Sequence, residues 1–411
     1  MSLTVRPITP DELAAWIGVT FVAFHNNRSA EPMAAYVRER LGDDTSRCLA
    51  TVDGARLVGT YESFTAQLTL PGGDCVPANA VSAVSVLPSH HRRGALTRML
   101  TRDLHEARER GEVASILIAA EYPIYGRFGF GPATDHAAYK LETVHAQFTA
   151  SAPGCVDLVE PAALRPIAPS IFDRVRGAYP GQIDRPPFYW DTRLGVRPLP
   201  WRNNGEPPRL ALYTAPSGEP EGYLVYHVES DWVHHVPGAR LEIEDLQTVT
   251  DEAYLGLWRY MAEVDLLSEV TVEMRRVDEP LRWMLADARK ALHQTMRNDF
   301  LWLRTLDTPR LLAGRRYAVE DRLVLAVDDP LGIAGGRFAL EGGPEGATCR
   351  ATDAAADLSM SMLALGAISL GGVSLHTLHA AGRIQEEQAG ALAKAEHMFR
   401  WPIAPWCSTF F

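Results

Sequence analysis

Val84-Ser85-Val86-Leu87-Pro88-Ser89-His90-His91-Arg92-Arg93-Gly94-Ala95-Leu96-Thr97 changes period part-way through. The apolar run AVSAVSVLP reads as a strand and is stopped by Pro88. From Leu96 the apolar positions Leu96, Met99, Leu100 and Leu104 recur at helical spacing, while Arg98, Arg102, Asp103 and Glu106 take the opposite face. A strand that ends at proline leaves backbone groups unpaired, and the helix that opens after the Arg/Gly turn presents free N–H groups and a positive dipole end. That combination suits a pyrophosphate. Read alone, the same residues also fit an ordinary basic strand-to-helix turn.

Upstream, RCLATVDGARLVGTYESFTAQLTL holds two β-rich runs broken at Asp53-Gly54, a hairpin turn. Downstream, VASILIA at 113–119 is a buried strand. Residues 151–181 are rich in proline and glycine and read as a linker. Beyond it EGYLVYHV and RLEIEDLQTV predict strands, TDEAYLGLWRYMAEVDLL a capped amphipathic helix, SEVTVEMRRV a strand and DEPLRWMLADARKAL a helix. From Leu301 the strands RLVLAVDD, GRFALEGG and ATCRAT precede helical stretches through LSMSMLALGAISL, SLHTLHAAGR and AGALAKAEHMFR. Alternating strands and helices followed by strands-then-helices predict α/β units and a final α+β unit. A length of 411 residues has room for two to four domains at roughly 100–200 residues each.

Forty basic against fifty-one acidic side chains give a net charge of −11, which disfavours a phosphate-coating nucleic-acid binder. The basic residues are almost all arginine, with lysine only at 140, 290 and 394, a bias that GC-rich codon usage explains. Cys48, Cys75, Cys155, Cys349 and Cys407 are odd in number and far apart, so neither a disulfide framework nor a zinc knuckle is indicated, and a reducing cytoplasm fits best. The first residues lack a signal-peptide pattern and no window approaches a membrane span.

The loop at 91–96 resembles the acetyl-coenzyme-A loop of GNAT acetyltransferases, R/Q-x-x-G-x-G/A, with departures: His91 stands at the R/Q position, Gly94 matches and Leu96 replaces the last Gly/Ala. Then comes IYGRFGFGPAT at 124–134, LWLR at 301–304, TDAAADLSM at 352–360, LGAISLGG at 365–372 and a final phenylalanine. In that order the series is similar to the enhanced intracellular survival (Eis) family of aminoglycoside acetyltransferases across the whole chain.

The resemblance implies tandem GNAT-like domains followed by a sterol-carrier-protein-like α+β domain. Residues 1–150 would bind acetyl-CoA, 151–298 would be a GNAT-like domain without cofactor, and 299–411 would carry a C-terminus that reaches the active site. It also implies a homohexamer and no metal. The residues explain a silent second domain: at Thr248-Val249-Thr250-Asp251-Glu252, Thr250 or Asp251 can cap the helix, and two acids face any phosphate.

The cofactor residues expected are Val84, Ser85, Val86, Arg92, Arg93, Gly94, Ala95, Leu96 and Thr97, with Ala120 and Glu121 after the next strand. Tyr125 is the expected acid for the leaving thiolate, the alternative being a core tyrosine. The family uses the α-carboxylate of its last residue as base, here Phe411. RWPIAPWCSTFF carries Trp401, Trp406, Phe410 and Phe411, a composition that should dock inward. His90 and His91 are expected to face solvent or phosphate, and His376 with His379 lack a third ligand. Asn26 and Tyr36 align where the family holds an acid and an aromatic against the aminoglycoside, though both fit a surface role equally. The implied activity is N-acetylation of primary amines of small polycations, with protein lysine as a variant acceptor. A different class remains open: a lipid or sterol carrier, with the helices around LSMSMLALGAISLGG lining a cavity rather than packing a core.

Overall fold

In the computed structural model, which describes residues 3–197, 199 and 206–411, three sheets of five or more strands organise the described residues. The first contains β1 (Thr4–Pro7), β2 (Cys48–Asp53), β3 (Arg56–Thr69), β4 (Cys75–Val86) and β5 (Ala114–Ile118). β1 to β4 pair antiparallel in sequence order, and β4 then pairs with β5 in parallel. The β2–β3 hairpin turns where expected, with Gly54 at φ 64°, a left-handed position that glycine takes without a Cβ clash. Helices α1 (Leu13–Ala23), α2 (Glu31–Leu41) and α3 (Ala95–Glu109) cover the sheet. The predicted apolar stripe of α3 is its buried face: Met99, Leu100 and Leu104 are at 0% exposure, in one cluster with Leu49, Tyr61, Val81 and Leu117. Each such side chain contributes roughly 1.5–3 kcal/mol by leaving water.

The sheets exchange strands. Leu301–Thr305 lies antiparallel to β5 and carries Gly131–Pro132 on its other edge, so a strand from far along the chain completes the first sheet. Asp135–Glu142, conversely, belongs to the second sheet, between Leu292–Asp299 and Leu267–Arg275. Ala239–Thr248, Pro220–Glu229, Arg209–Thr214 and Cys155–Leu158 follow in spatial order. Boundaries drawn at 150 and 298 from the sequence cut across this exchange, because chain proximity does not determine which edge a short apolar strand pairs with.

Two sequence expectations differ from the structure. Residues 151–181 are no linker: they form a strand at Cys155–Leu158 and a helix at Ala168–Ala178 whose Ile171, Phe172 and Val175 pack on Trp190, Tyr223 and Val225. DEPLRWMLADARKAL is no continuous helix either. It makes single turns at Leu281–Met284 and Ala288–Ala291, because Leu285 goes extended to bridge Phe148 and Asp287 caps a new turn through Lys290 N. Tertiary pairing here overrides helix propensity.

The third sheet runs Gly346–Ala351, Gly336–Gly343, Asp321–Asp328, Leu358–Ser361, Ile384–Glu386. Its helix Met362–Ile368 packs directly on the first sheet. A Cβ at Gly131 would lie 2.0 Å from the Leu363 carbonyl oxygen, and one at Gly366 would lie 2.1 Å from that of Leu303. Met362, Ala364, Leu365 and Ile368 are at 0% exposure. This helix is core packing, which removes the ground for a carrier cavity there.

Candidate active site

β4 and β5 pair only from Ala78↔Ala114 to Val81↔Leu117; beyond that β4 continues to Val86 without its parallel partner. A bulge opens this fork. Thr60 pairs with Ser85 but Glu62 with Ser82, so Ala83 and Val84 together face Tyr61, and Ala83 takes φ 49°. The buried Thr60 hydroxyl offsets that strain by donating to the Ala83 carbonyl at 2.7 Å and accepting from the Ser85 hydroxyl at 2.6 Å. Neither Thr60 nor Ala83 stood out in the sequence, since a bulge leaves no mark on alternation.

From Pro88 the chain makes one 3-10 turn, then Arg92 at φ 61° and Gly94 at φ 79° turn it into α3. No side chain caps α3, so its first N–H groups are left for a ligand. A Cβ on Gly94 would meet no heavy atom within 4 Å, so the approach is open. Two left-handed residues ahead of an uncapped helix fit a pyrophosphate. Asp53 braces the turn as an ion-pair partner: its Oδ2 lies 3.1 Å from Arg93 Nη1 and 3.4 Å from His90 Nε2. His90 is therefore buried, also bonded to Ser89 Oγ at 2.8 Å, and does not face solvent or phosphate as expected. His91 is exposed, its Nε2 2.9 Å from the Val86 carbonyl.

Ala120 and Glu121 follow β5 in exposed positions, and Glu121 precedes the short turn Tyr122–Tyr125. Tyr125 is 6% exposed, in one cluster with Tyr61, Leu100 and Phe130 and with the partly buried Val84, Val86, Leu96 and Ala119. Burial, and then Glu121, push its pKa up to about 12. Arg304 of the LWLR strand fixes this segment from behind. It is wholly buried, donates to the Phe128 carbonyl, and grips both Asp329 oxygens at 2.9 Å.

The tail docks inward as its composition predicts. Trp406, Cys407, Ser408 and Thr409 are buried, whereas Phe410 turns out at 60% exposure. Phe411 joins the cluster containing Phe64 of β3 and Ile118 of β5, the latter a prong of the fork. Tyr125 thus packs with Val81 and Leu117 on one face of the first sheet, and Phe411 packs in the cluster of Ala80 and Ile116 on the other. Tyr36 instead sits where α2 meets the helix Pro187–Arg193, its ring edge-on to Phe188 at 4.9 Å and its hydroxyl 3.2 Å from Thr192 Oγ1. Asn26 stays on the α1–α2 loop, accepting from Arg28 N at 3.0 Å.

Residues 4–133 match the family described as acetyltransferase (GNAT) domain, residues 181–305 a second family of that description, and 308–408 the sterol carrier protein domain. A Streptomyces griseus protein named as an uncharacterized N-acetyltransferase is 36% identical over 419 aligned residues, covering 100% of both chains. The N-acetyltransferase Eis of Mycobacterium tuberculosis (strain ATCC 25177 / H37Ra) is 33% identical over 358 residues, 84% of each chain. The chain belongs to the Eis family of N-acetyltransferases.

Eis1 from Mycobacterium abscessus has the same architecture, with a TM-score of 0.84 and 29% identity over 99% of this chain and 100% of that one. A GCN5-related N-acetyltransferase from Anabaena variabilis shares the fold, with a TM-score of 0.85 at 20% identity and 100% coverage of both chains. In this Eis-family chain the second GNAT unit differs from the first at the helix start that follows its central strand. Thr250 caps the helix Asp251–Glu263 by accepting from Ala253 N, and Asp251 and Glu252 fill the first turn, so a filled cap and two carboxylates stand where the first unit has an uncapped helix start. His379 bonds the Ile384 carbonyl at 3.0 Å, and among the described residues no group of three or more His, Cys, Asp or Glu is placed to hold a metal. Among the described residues no helix is long and apolar enough to cross a membrane.

Proposed function

We propose that this Eis-type N-acetyltransferase acetylates primary amines of small polycationic molecules, aminoglycosides first among them, with protein lysine as a variant acceptor. The carrying observation is an uncapped, glycine-led helix start beside a forked strand pair, with Tyr125 packed on one face of that sheet and the docked tail's Phe411 on the other. Acetyl-CoA supplies the acetyl thioester. The N–H groups of Ala95, Leu96 and Thr97 take its pyrophosphate, and the fork beyond Val81 and Leu117 takes its arm.

The amine nitrogen forms the new N–C bond as the C–S bond breaks. The Phe411 carboxylate accepts the amine's proton, and Tyr125 donates to the sulfur as negative charge builds there. A phenol held at about 12 is a weaker acid than the sequence implied, so its proton passes only as the C–S bond is lost. The same carboxylate attracts a cationic acceptor. A homohexamer in the cytoplasm completes the proposal; the family resemblance and five free thiols support it, and sedimentation tests the assembly.

An acceptor screen following free thiol released from acetyl-CoA tests the reading. Aminoglycosides and polyamines should release thiol in proportion to acetylated amine found by mass spectrometry. Release with no amine acceptor would overturn the assignment.

A further inference from the structure

The second sheet has a fork of its own. Ala239–Thr248 and Leu267–Arg275 pair in parallel from Ala239↔Leu267 to Ile243↔Val272 and then part, as β4 and β5 do in the first sheet. The chain's own tail enters this opening. Trp406 Nε1 donates to the Met274 carbonyl on one prong at 3.3 Å, and Gln247 on the other prong donates to Ser408 Oγ at 3.1 Å. Arg275 spans the gap, donating to the Leu246 carbonyl at 2.7 Å while its guanidinium lies 4.9 Å from the Trp406 ring centre. Gln182 closes the remaining side, accepting from Ser408 N at 3.2 Å and Ser408 Oγ at 3.0 Å.

Arg185 makes the tightest hold. Its side chain is 0% exposed, and all five of its N–H groups have acceptors close by. Nε donates to Thr409 Oγ1 at 2.9 Å, and Nη2 to the Ser408 carbonyl at 3.1 Å and more distantly to Asp245 Oδ1 at 3.4 Å. Nη1 reaches Asp245 Oδ2 at 2.6 Å and the Tyr223 hydroxyl at 3.1 Å. Phe172 covers the guanidinium at 3.9 Å. Burial opposes a charge there, but Asp245 outweighs it and holds Arg185 above the ordinary arginine value.

Replacing a buried ion pair by apolar residues often leaves stability unchanged or raised, so such a pair is a poor device for stability alone. A planar fork that fixes two successive residues in one orientation is a good device for aim. Only Phe410 separates the clamped Thr409 from Phe411, whose ring rests on Phe64 of the first sheet. The tail is therefore fixed at both ends of a four-residue reach, and the fixed point upstream lies in the second GNAT unit, whose helix start is capped and acidic.

We propose that the fork of the second sheet is a socket for the chain's last residues, and that Arg185 is a positioning residue acting through Ser408 and Thr409 on the Phe411 carboxylate. The proposal rests on the reading of that carboxylate as the base.

The test is a double-mutant cycle on the full chain, comparing Arg185→Lys in the protein as it is and in protein whose last residue is a carboxamide. Lysine keeps the charge beside Asp245 but lacks the planar fork. In the unmodified chain Arg185→Lys should lower kcat by about 10–100-fold, the cost of a base displaced by an ångström or less, with the calorimetric Kd for acetyl-CoA unchanged. In the carboxamide background it should cause no further loss, since the group it aims is gone. Equal fold-losses in both backgrounds, or none in the unmodified chain, would overturn the positioning role. A carboxamide protein with Arg185 intact and full turnover would instead bring down the base assignment, and the positioning role with it. Should Arg185→Lys not fold, Ser408→Ala with Thr409→Val removes the tail's two hydroxyl acceptors while sparing the Arg185–Asp245 pair, and the same pattern is expected of it.

Discussion

The ring of Phe411 stands edge-on to that of Phe64, with centroids 5.7 Å apart and planes at 86°. This geometry sets the positive edge of one ring against the negative face of the other, worth about 0.5–1.5 kcal/mol beyond burial. It joins the last residue of the third domain to a strand of the first.

Phe64→Ala removes that contact from a partly buried site. Stability should fall by about 1–3 kcal/mol, read from urea unfolding, and turnover by about tenfold as the tail end loosens, with acetyl-CoA affinity held. Unchanged turnover in the folded variant would show that the tail is held without this ring.

Gly94 occupies φ 79°, and only glycine takes that angle freely. Gly94→Ala meets no neighbour, so its cost is strain of about 1–2 kcal/mol. Gly94→Pro cannot adopt the angle and must move the turn. Acetyl-CoA affinity should therefore fall slightly for alanine and sharply for proline, and calorimetric titration of the folded variants reads both. Equal affinity in wild type and the proline variant would remove this turn from the cofactor site.

Tyr125→Phe keeps ring packing and deletes the proton, so turnover should drop by about 10²–10⁴-fold with cofactor binding kept. The pH dependence has a definite sign. With a pKa near 10 when unfolded and about 12 when folded, Tyr125 favours the folded state fully below about pH 10, and that contribution is lost as pH rises through 12. A kcat profile measured up to pH 10 should show no alkaline limb that disappears in the phenylalanine variant.

Thr250 caps the helix at the second domain's counterpart of the α3 start, with Asp251 and Glu252 beside it. Native mass spectrometry should count one acetyl-CoA per chain. Thr250→Ala should cost about 0.5–2 kcal/mol of stability without creating a second site, because both acids remain. Two equivalent sites per chain would refute the closure.

Period and composition made much of this legible. The strand-to-helix change at Pro88 to Leu96, the Asp53-Gly54 hairpin, the Thr250 cap and the docking tail all lie where local rules place them. Other features depend on contacts far apart in sequence. Whether Leu301–Thr305 pairs with β5 or with a neighbour of its own is decided by a register that the apolar run LWLRT does not encode. The bulge at Ala83 is stabilised by Thr60, which reads as an ordinary strand threonine. Arg185 belongs to no motif singled out in the sequence, and only its placement among Asp245, Ser408 and Thr409 gives it a task. His90 reads as facing solvent or phosphate because its partner, Asp53, lies far upstream at the end of β2.

Leu301–Thr305 fills the first sheet between β5 and Gly131–Pro132, and all five of its residues are buried. During synthesis, the first 150 residues leave the ribosome with one side of β5 bare and the Arg304 brace behind Phe128 still unmade. The first GNAT unit of this protein therefore cannot finish folding as an N-terminal domain on its own, and must wait through roughly 150 further residues, about 8–30 s at usual elongation rates. Until then a buried-type strand edge stands open to any passing segment. Secreted fragments, truncations or fusions that stop short of Thr305 inherit that open edge, so aggregation rather than a small active acetyltransferase is what they should yield.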